Sequence, residues 1–103
     1  MDQADVLDEI VASIVRAVEP DRIILFGSRL KEPADPFADY DILVLKRGVT
    51  NRRRTAQCIY LELSHIPAPV DVLVEDLDNI EEHRHSRGFV YYDALRGRVL
   101  YEK

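Results

Sequence analysis

The chain has 103 residues, of which 47% are hydrophobic and 32% charged, and its formal net charge at pH 7 is -5. That length fits one hydrophobic core, and we expect a single domain over residues 1–103. The acidic balance argues against a protein that binds nucleic acid non-specifically. One cysteine, Cys58, excludes an internal disulfide. The N-terminus is acidic where a signal peptide would be basic, and no apolar run reaches the roughly 20 residues that span a bilayer, so we expect a cytoplasmic protein.

Helices and strands are predicted to alternate along the chain. Apolar residues at three- and four-residue spacing after Asp2 indicate an amphipathic first helix, which Pro20 ends. Short apolar runs rich in β-branched residues indicate buried strands. This alternation is typical of an α+β fold, in which helices pack on a small mixed α/β sheet, and it leaves the strand order open. In chain order we predict a helix (2–19), a strand (22–26), a loop (31–37), a strand (40–45), a helix (50–64), a strand (70–74), a largely helical stretch (76–95) with Gly88 as a candidate break, and an edge strand (98–101).

Aspartates interrupt the apolar runs of two predicted strands. Asp39 and Asp41 lie two apart at the start of one strand, so their side chains point to the same face, and Asp71 lies within another strand. A carboxylate buried without a partner is costly, and two carboxylates held together repel each other. A divalent cation removes that repulsion, and Mg²⁺ prefers a few carboxylates together with phosphate oxygens. Asp39, Asp41 and Asp71 are therefore candidate catalytic residues and candidate ligands of two metal ions, provided that their strands are neighbours.

The same aspartates also have ordinary structural interpretations. Asp39 can end a loop or cap a turn, whereas Asp41 and Asp71 can form ion pairs with Arg22 or Arg29. For each aspartate considered alone, the structural interpretation and the metal-ligand interpretation are equally favoured. The combination with the motif that follows the first strand favours a metal site.

That motif is Phe26-Gly27-Ser28-Arg29. Gly27 permits a tight turn and the close approach of a phosphate. Backbone amides and the Ser28 hydroxyl at the start of a helical turn can hold phosphate oxygens, and Arg29 can contact a phosphate or a site carboxylate. A Gly-Ser pair alone is common in turns. Its position between a buried strand and the paired aspartates makes Gly27, Ser28 and Arg29 candidate nucleotide-binding residues.

Gly27-Ser28, ten further residues and Asp39-Tyr40-Asp41 together resemble the Gly-Ser-x10-Asp-x-Asp signature of DNA polymerase β-like nucleotidyltransferases. With the first helix and the later Val-Asp-Val strand, the likeness covers essentially the whole chain. The chain looks like the minimal branch of that superfamily, which lacks the extra domain of aminoglycoside nucleotidyltransferases. The resemblance implies the polymerase β-like fold, a triphosphate held by Gly27 and Ser28, magnesium bound by Asp39 and Asp41, and Asp71 as the third carboxylate.

The resemblance also implies a biological role. Minimal nucleotidyltransferases are often encoded beside a small helical HEPN ribonuclease, and the pair forms a type VII-like toxin–antitoxin module. The resemblance implies that this chain is the antitoxin and that it transfers AMP from ATP to a tyrosine of the HEPN toxin in a Mg²⁺-dependent reaction. The HEPN toxin would be its partner in a hetero-oligomer. Neither a membrane nor a nucleic acid is expected as a partner, and a homodimer is left open.

Two departures from the family pattern bear on this role. Leu30-Lys31-Glu32 stands where many relatives have Ala-Arg-Gly, and Ala38 stands where a serine often precedes the first aspartate. These changes affect the geometry of the loop, and through it the rate, rather than the metal ligands.

Two other functions are compatible with the sequence. A binding antitoxin would neutralise its partner by covering it, although the retained Gly-Ser pair and aspartates argue against a vestigial site. A small-molecule nucleotidyltransferase acting on an antibiotic would need a partner or a dimer to supply its acceptor pocket.

Three features outside the motif have simpler interpretations. The segment Asn51-Arg52-Arg53-Arg54 can attract ATP electrostatically or contact an acidic partner, but a solvent-exposed basic face is the favoured interpretation. His83 and His85 lie two apart on a predicted helix and do not share a face, so we expect surface residues. Cys58 is expected to be a small core residue.

Overall fold

The computed structural model describes residues 2–30, 37–83 and 92–103, and it contains a four-stranded mixed sheet with helices on both faces. The predicted α+β class is confirmed. In chain order the elements are α1 (Gln3–Val18), β1 (Arg22–Phe26), a 3-10 turn (Gly27–Leu30), β2 (Tyr40–Lys46), α2 (Arg52–Leu63), β3 (Val70–Asp76), α3 (Leu77–His83), α4 (Tyr92–Leu95) and β4 (Arg98–Glu102).

The first helix has a cap at each end. The Asp2 carboxylate accepts a hydrogen bond from the backbone N–H of Asp5 at 2.9 Å, which satisfies one of the donors that a helix start leaves open. At the other end Glu19 adopts a left-handed conformation with φ 50°, and its N–H donates to the carbonyl of Val15. The helix predicted over 2–19 is thus confirmed, with both end residues acting as caps. Of the helices in the described ranges, none is long and apolar enough to cross a membrane.

The strands are arranged in the order β3-β2-β1-β4. β1 is antiparallel to both β2 and β4, whereas β2 is parallel to β3. The parallel register pairs Asp41 with Asp71, and the antiparallel register pairs Phe26 with Asp41. The two aspartate-bearing strands are therefore neighbours, which is the condition that the sequence left open. The prediction that the last strand lies at a sheet edge is confirmed.

An apolar core lies on each face of the sheet. Successive residues of the two central strands point to opposite faces, so β1 and β2 are buried on both sides. The larger core lies against α1 and α2, and its buried strand residues are Ile23, Leu25, Tyr40, Ile42, Val44, Val72 and Val74. The smaller core lies against α3 and α4, and its buried residues are Ile24, Leu43, Leu45, Leu77, Ile80 and Ala94.

The third strand is longer than predicted because a charged residue is accommodated in it. β3 continues through Glu75, which is only 4% exposed and pairs in register with Leu45. The carboxylate of Glu75 accepts a hydrogen bond from the guanidinium of Arg52 at 2.7 Å and another from the side chain of Asn79 at 3.4 Å. These hydrogen bonds offset the cost of burying the Glu75 carboxylate. The prediction ended the strand at residue 74 because it followed the run of apolar residues, and such a run gives no sign of these partners.

The middle helix also differs from its prediction. It begins at Arg52 because Asn51 is its N-cap and accepts a hydrogen bond from the N–H of Arg54 at 3.0 Å. Its outer side is exposed, and Cys58 lies there, so the expectation of a core cysteine is wrong. Within 76–95 the described parts are helical apart from Asp76, which belongs to β3, and Gly88 lies outside the described residues.

Candidate active site

Gly27 and Asp41 are in close contact at the end of the sheet where β1 stops and β2 starts. Phe26 is the antiparallel partner of Asp41, so the next residue must turn away beside that carboxylate. Gly27 does so with φ 77°, a left-handed conformation that favours glycine. A Cβ atom at this position would overlap the Asp41 carboxylate, with the Cγ of Asp41 only 3.1 Å away. The glycine predicted to admit a phosphate is thus also required by the aspartate next to it.

The three predicted aspartates meet at this end of the sheet. Asp71 is the parallel partner of Asp41, and Asp39 lies just before β2. Asp41 is half-buried, whereas Asp39 and Asp71 are exposed. Burial raises the pKa of the Asp41 carboxyl above its ordinary 3.8, and the nearby charges of Asp71 and Asp39 raise it further. The three carboxylates thus lie at one end of the sheet, near enough for the charges of Asp71 and Asp39 to act on Asp41.

The arginines that could have neutralised these aspartates are engaged elsewhere. Arg22 pairs with Glu102 at 3.0 Å, and Arg29 donates to a backbone carbonyl. No ion pair in the described part of the chain includes Asp41 or Asp71. The ion pairs of Asp41 and Asp71 with Arg22 or Arg29 that the sequence allowed are thus not seen among these residues.

The carboxylates of the described residues do not form a closed cation site. Within residues 2–30, 37–83 and 92–103, no three His, Cys, Asp or Glu side chains are gathered closely enough to hold an ion as they stand. Besides burial, repulsion from Asp71 and Asp39 raises the pKa of Asp41, and the same repulsion opposes a tighter cluster. Carboxylate oxygens nevertheless suit Mg²⁺, which usually takes one or two of them and completes its shell with water and phosphate. The residues present fit a magnesium ion bound together with a phosphorylated substrate.

Ser28 and Arg29 lie on the short turn that follows Gly27. The turn, Gly27–Leu30, is a single stretch of 3-10 helix, so its first backbone amides have no helical partner of their own. Ser28 is half-buried beside the aspartates' end of the sheet. Its predicted contact with phosphate stays a prediction, as does that of Arg29, whose observed contacts are with protein groups.

One contact that ties the strand starts together was missed by sequence reasoning. The N–H of Tyr40 donates to the carbonyl of Pro69 at 2.9 Å, just before the first residue of β3. Tyr40 is itself 2% exposed. Its position between two aspartates places its side chain on the opposite, buried face, which is the one signal that could have identified it.

Among the remaining sequence candidates, Asn51 and Arg52 have other partners. Arg52 forms an ion pair with Glu75 near the C-terminal end of β3, and Asn51 is the N-cap of α2. Arg53 and Arg54 are exposed. Nothing is described of the side chain of His83, and His85 lies outside the described residues.

Comparison with known families agrees with this geometry. Residues 8–103 match the family described as Polymerase beta, Nucleotidyltransferase. The matched segment contains the Gly27–Ser28 turn, all three aspartates and every strand of the sheet. No curated protein matches the chain.

Proposed function

The chain belongs to the polymerase β nucleotidyltransferase family, and we propose that it transfers a nucleotide from a magnesium-bound nucleoside triphosphate to an acceptor hydroxyl. One observation carries the proposal. Asp39, Asp41 and Asp71 lie near one another beside a glycine turn, where burial raises the pKa of Asp41 and the charges of Asp71 and Asp39 raise it further, while no ion pair among the described residues includes Asp41 or Asp71. An arrangement that is unfavourable in the free protein becomes favourable when a bound cation and phosphate oxygens complete it.

The aspartates divide into two roles. Asp39 and Asp41 hold magnesium, because they flank the start of one strand and face the same side of the sheet. Magnesium in such a site neutralises phosphate charge and steadies the departing pyrophosphate. Asp71, on the neighbouring strand, is exposed and therefore accessible to an incoming acceptor.

The turn after β1 holds the triphosphate. Gly27 keeps the backbone close to the Asp41 carboxylate, so phosphate oxygens on the turn lie near the metal ligands. The Ser28 hydroxyl and the first amides of the turn are the donors for those oxygens.

The reaction forms one bond and breaks one. The acceptor oxygen attacks the α-phosphorus, and the bond between that phosphorus and the bridging oxygen of pyrophosphate breaks. Asp71 takes the proton from the acceptor hydroxyl, directly or through water. Pyrophosphate leaves with the electron pair of the broken bond.

The finer proposal is that the nucleotide is AMP from ATP and the acceptor is a tyrosine of a HEPN ribonuclease. This chain would then be the antitoxin of the pair. The support is its likeness to minimal nucleotidyltransferases, carried by Gly27-Ser28-Arg29 and Asp39-Tyr40-Asp41. The alternatives are neutralisation by binding alone and transfer to a small molecule.

The test first asks whether a HEPN protein is encoded beside this chain, and then measures transfer of label to that protein from ATP labelled at the α-phosphate, in the presence of Mg²⁺. Substitution of both Asp39→Asn and Asp41→Asn should reduce labelling by more than about 100-fold, because both carboxylate ligands lose their charge. Asp8→Asn is the control for a loss of negative charge, since Asp8 is exposed on α1 and is not one of the residues assigned to the site.

Undiminished labelling by the double variant would contradict the catalytic assignment. Neutralisation of the HEPN protein by that variant without ATP would instead favour binding alone. If wild type labels nothing with any of the four nucleoside triphosphates, the proposed protein acceptor is wrong.

A further inference from the structure

Arg29 contacts the residues on both sides of Asp39. Its Nε donates a hydrogen bond to the carbonyl oxygen of Ala38 at 3.0 Å. Its guanidinium carbon lies 4.1 Å from the centre of the Tyr40 ring. A third contact joins its terminal nitrogen to the side-chain oxygen of Gln3 on α1, at 3.4 Å. The arginine thus links the turn after β1, the first helix and the start of β2.

These contacts depend on the shape of a guanidinium group. A planar guanidinium can stack on an aromatic face while its edge donates hydrogen bonds within its own plane. A lysine ammonium carries the same charge, but it cannot stack and direct an Nε–H at a carbonyl at the same time. The geometry therefore uses the form of the arginine and not only its charge.

Asp39 needs such support because it lies outside the strand ladder. β2 starts at Tyr40, so the backbone of Asp39 is not held by regular strand pairing. Tyr40 is fixed on one side, since it is buried and its N–H donates to the carbonyl of Pro69. The hydrogen bond from Arg29 to Ala38 fixes the other side.

We infer that Arg29 is a positioning residue that sets the place of the Asp39 carboxylate relative to Asp41, and that it acts on the metal through Asp39 instead of binding the triphosphate. The inference rests on the proposed function in one respect, the assignment of Asp39 as a metal ligand. It replaces the phosphate contact expected for Arg29 from the sequence. A ligand held in place before the ion arrives loses less conformational freedom on binding, which raises affinity.

The experiment compares two binding constants of the full-length chain carrying Arg29→Lys. The first is the Kd of Mn²⁺ without nucleotide, followed by electron paramagnetic resonance. The second is the Kd of ATP in the presence of a chelator, with no divalent cation. Arg16→Lys is the matched control, because Arg16 is an exposed arginine that pairs with Glu62 on the helices.

A positioning role predicts that Arg29→Lys weakens Mn²⁺ binding by about 10-fold or more, as the loss of a supporting contact commonly does, and leaves metal-free ATP binding unchanged. Tyr40→Leu, which removes the stacking surface, should weaken Mn²⁺ binding in the same direction. Arg16→Lys should change neither constant. Circular dichroism of each variant would show that the fold is retained.

The opposite pattern would overturn the inference. If Arg29→Lys weakens metal-free ATP binding and leaves the Mn²⁺ Kd unchanged, Arg29 is a phosphate ligand. If neither constant changes, its contacts have no functional consequence. These results differ from a failure of the proposed function itself, in which wild type and Asp39→Asn would bind Mn²⁺ equally poorly.

Discussion

The backbone of Gly27 lies directly against the side chain of Asp41, so that no Cβ atom fits between them. The turn after β1 and the start of β2 are therefore mutually dependent. Glycine at position 27 leaves room for the Asp41 carboxylate, and that carboxylate leaves no room for a side chain at position 27. Two motif positions that the sequence separates by a loop are thus in direct contact.

Gly27→Ala should therefore cost more stability than Gly48→Ala. Both glycines have left-handed backbones, with φ 77° and 75°, but a Cβ at Gly48 would meet no atom within 4 Å. We expect Gly48→Ala to lower the free energy of unfolding by about 1 kcal/mol from backbone strain alone. Gly27→Ala should lose roughly 1–3 kcal/mol more, since an added side chain displaces its neighbour. Urea denaturation of both variants measures the difference, and equal losses would show that the contact with Asp41 is easily relieved.

Asp41→Asn should stabilise the folded protein at neutral pH. The pKa of Asp41 is raised in the folded state above the ordinary 3.8, so folded chains bind more protons than unfolded ones between the two values. The free energy of unfolding then falls as pH rises through that interval, and the full loss is present above the raised pKa. Removing the charge should recover less than about 1 kcal/mol at pH 7, because the group is partly solvated.

The gain should shrink on acidification and vanish below the ordinary pKa of 3.8. Thermal unfolding at a series of pH values follows it. Asp8→Asn changes the net charge equally and serves as the control. A gain at pH 3 as large as that at pH 7 would rule out the proposed electrostatic origin.

Magnesium should raise the Tm of the wild-type chain at pH 7. An ion that binds the folded state alone stabilises it by mass action, by about 2.7 kcal/mol when its concentration is one hundred times its Kd. The increase should disappear when Asp39 and Asp41 are both replaced by asparagine. Sodium chloride at the same ionic strength is the control, because it reproduces general screening by salt without a divalent cation for the aspartates to bind.

Arg52→Ala should destabilise the fold, whereas Arg53→Ala should not. Arg52 supplies a cation to the buried Glu75 carboxylate, and its neighbour Arg53 is exposed on the same helix turn. We expect a loss of about 1–3 kcal/mol for Arg52→Ala, since a buried carboxylate loses a charged donor. The change for Arg53→Ala should be within about 0.5 kcal/mol. Chemical denaturation measures both, and equal effects would mean that solvent replaces Arg52.

The sequence predicted the elements well where a periodic pattern existed. The first helix and the strand Arg22–Phe26 were predicted correctly because apolar spacing and length identify them. Cys58 was misplaced because the apolar residues around it give α2 no distinct face, and the structure buries only Ile59 and Leu63 there.

For the site, the sequence singled out three aspartates that lie at one end of the sheet, but it did not predict how they are held. Asp39, Asp41 and Asp71 stand out because they interrupt or border apolar runs. The contact of Gly27 with Asp41 and the contacts of Arg29 with Ala38 depend on which strands are neighbours. Strand order is a property of tertiary packing, which local periodicity does not encode.

The parallel pairing of Asp41 with Asp71 has a consequence for how the site comes into being. Parallel neighbours cannot be joined by a tight hairpin, so α2 must cross over the sheet before the two carboxylates meet. A fragment that lacks any part of the β2–α2–β3 unit cannot hold both carboxylates together. A nascent chain therefore lacks the site until β3 has emerged and docked. Occupancy by a divalent ion would thus report completion of the whole strand–helix–strand unit, and chelation would weaken all of its parts together.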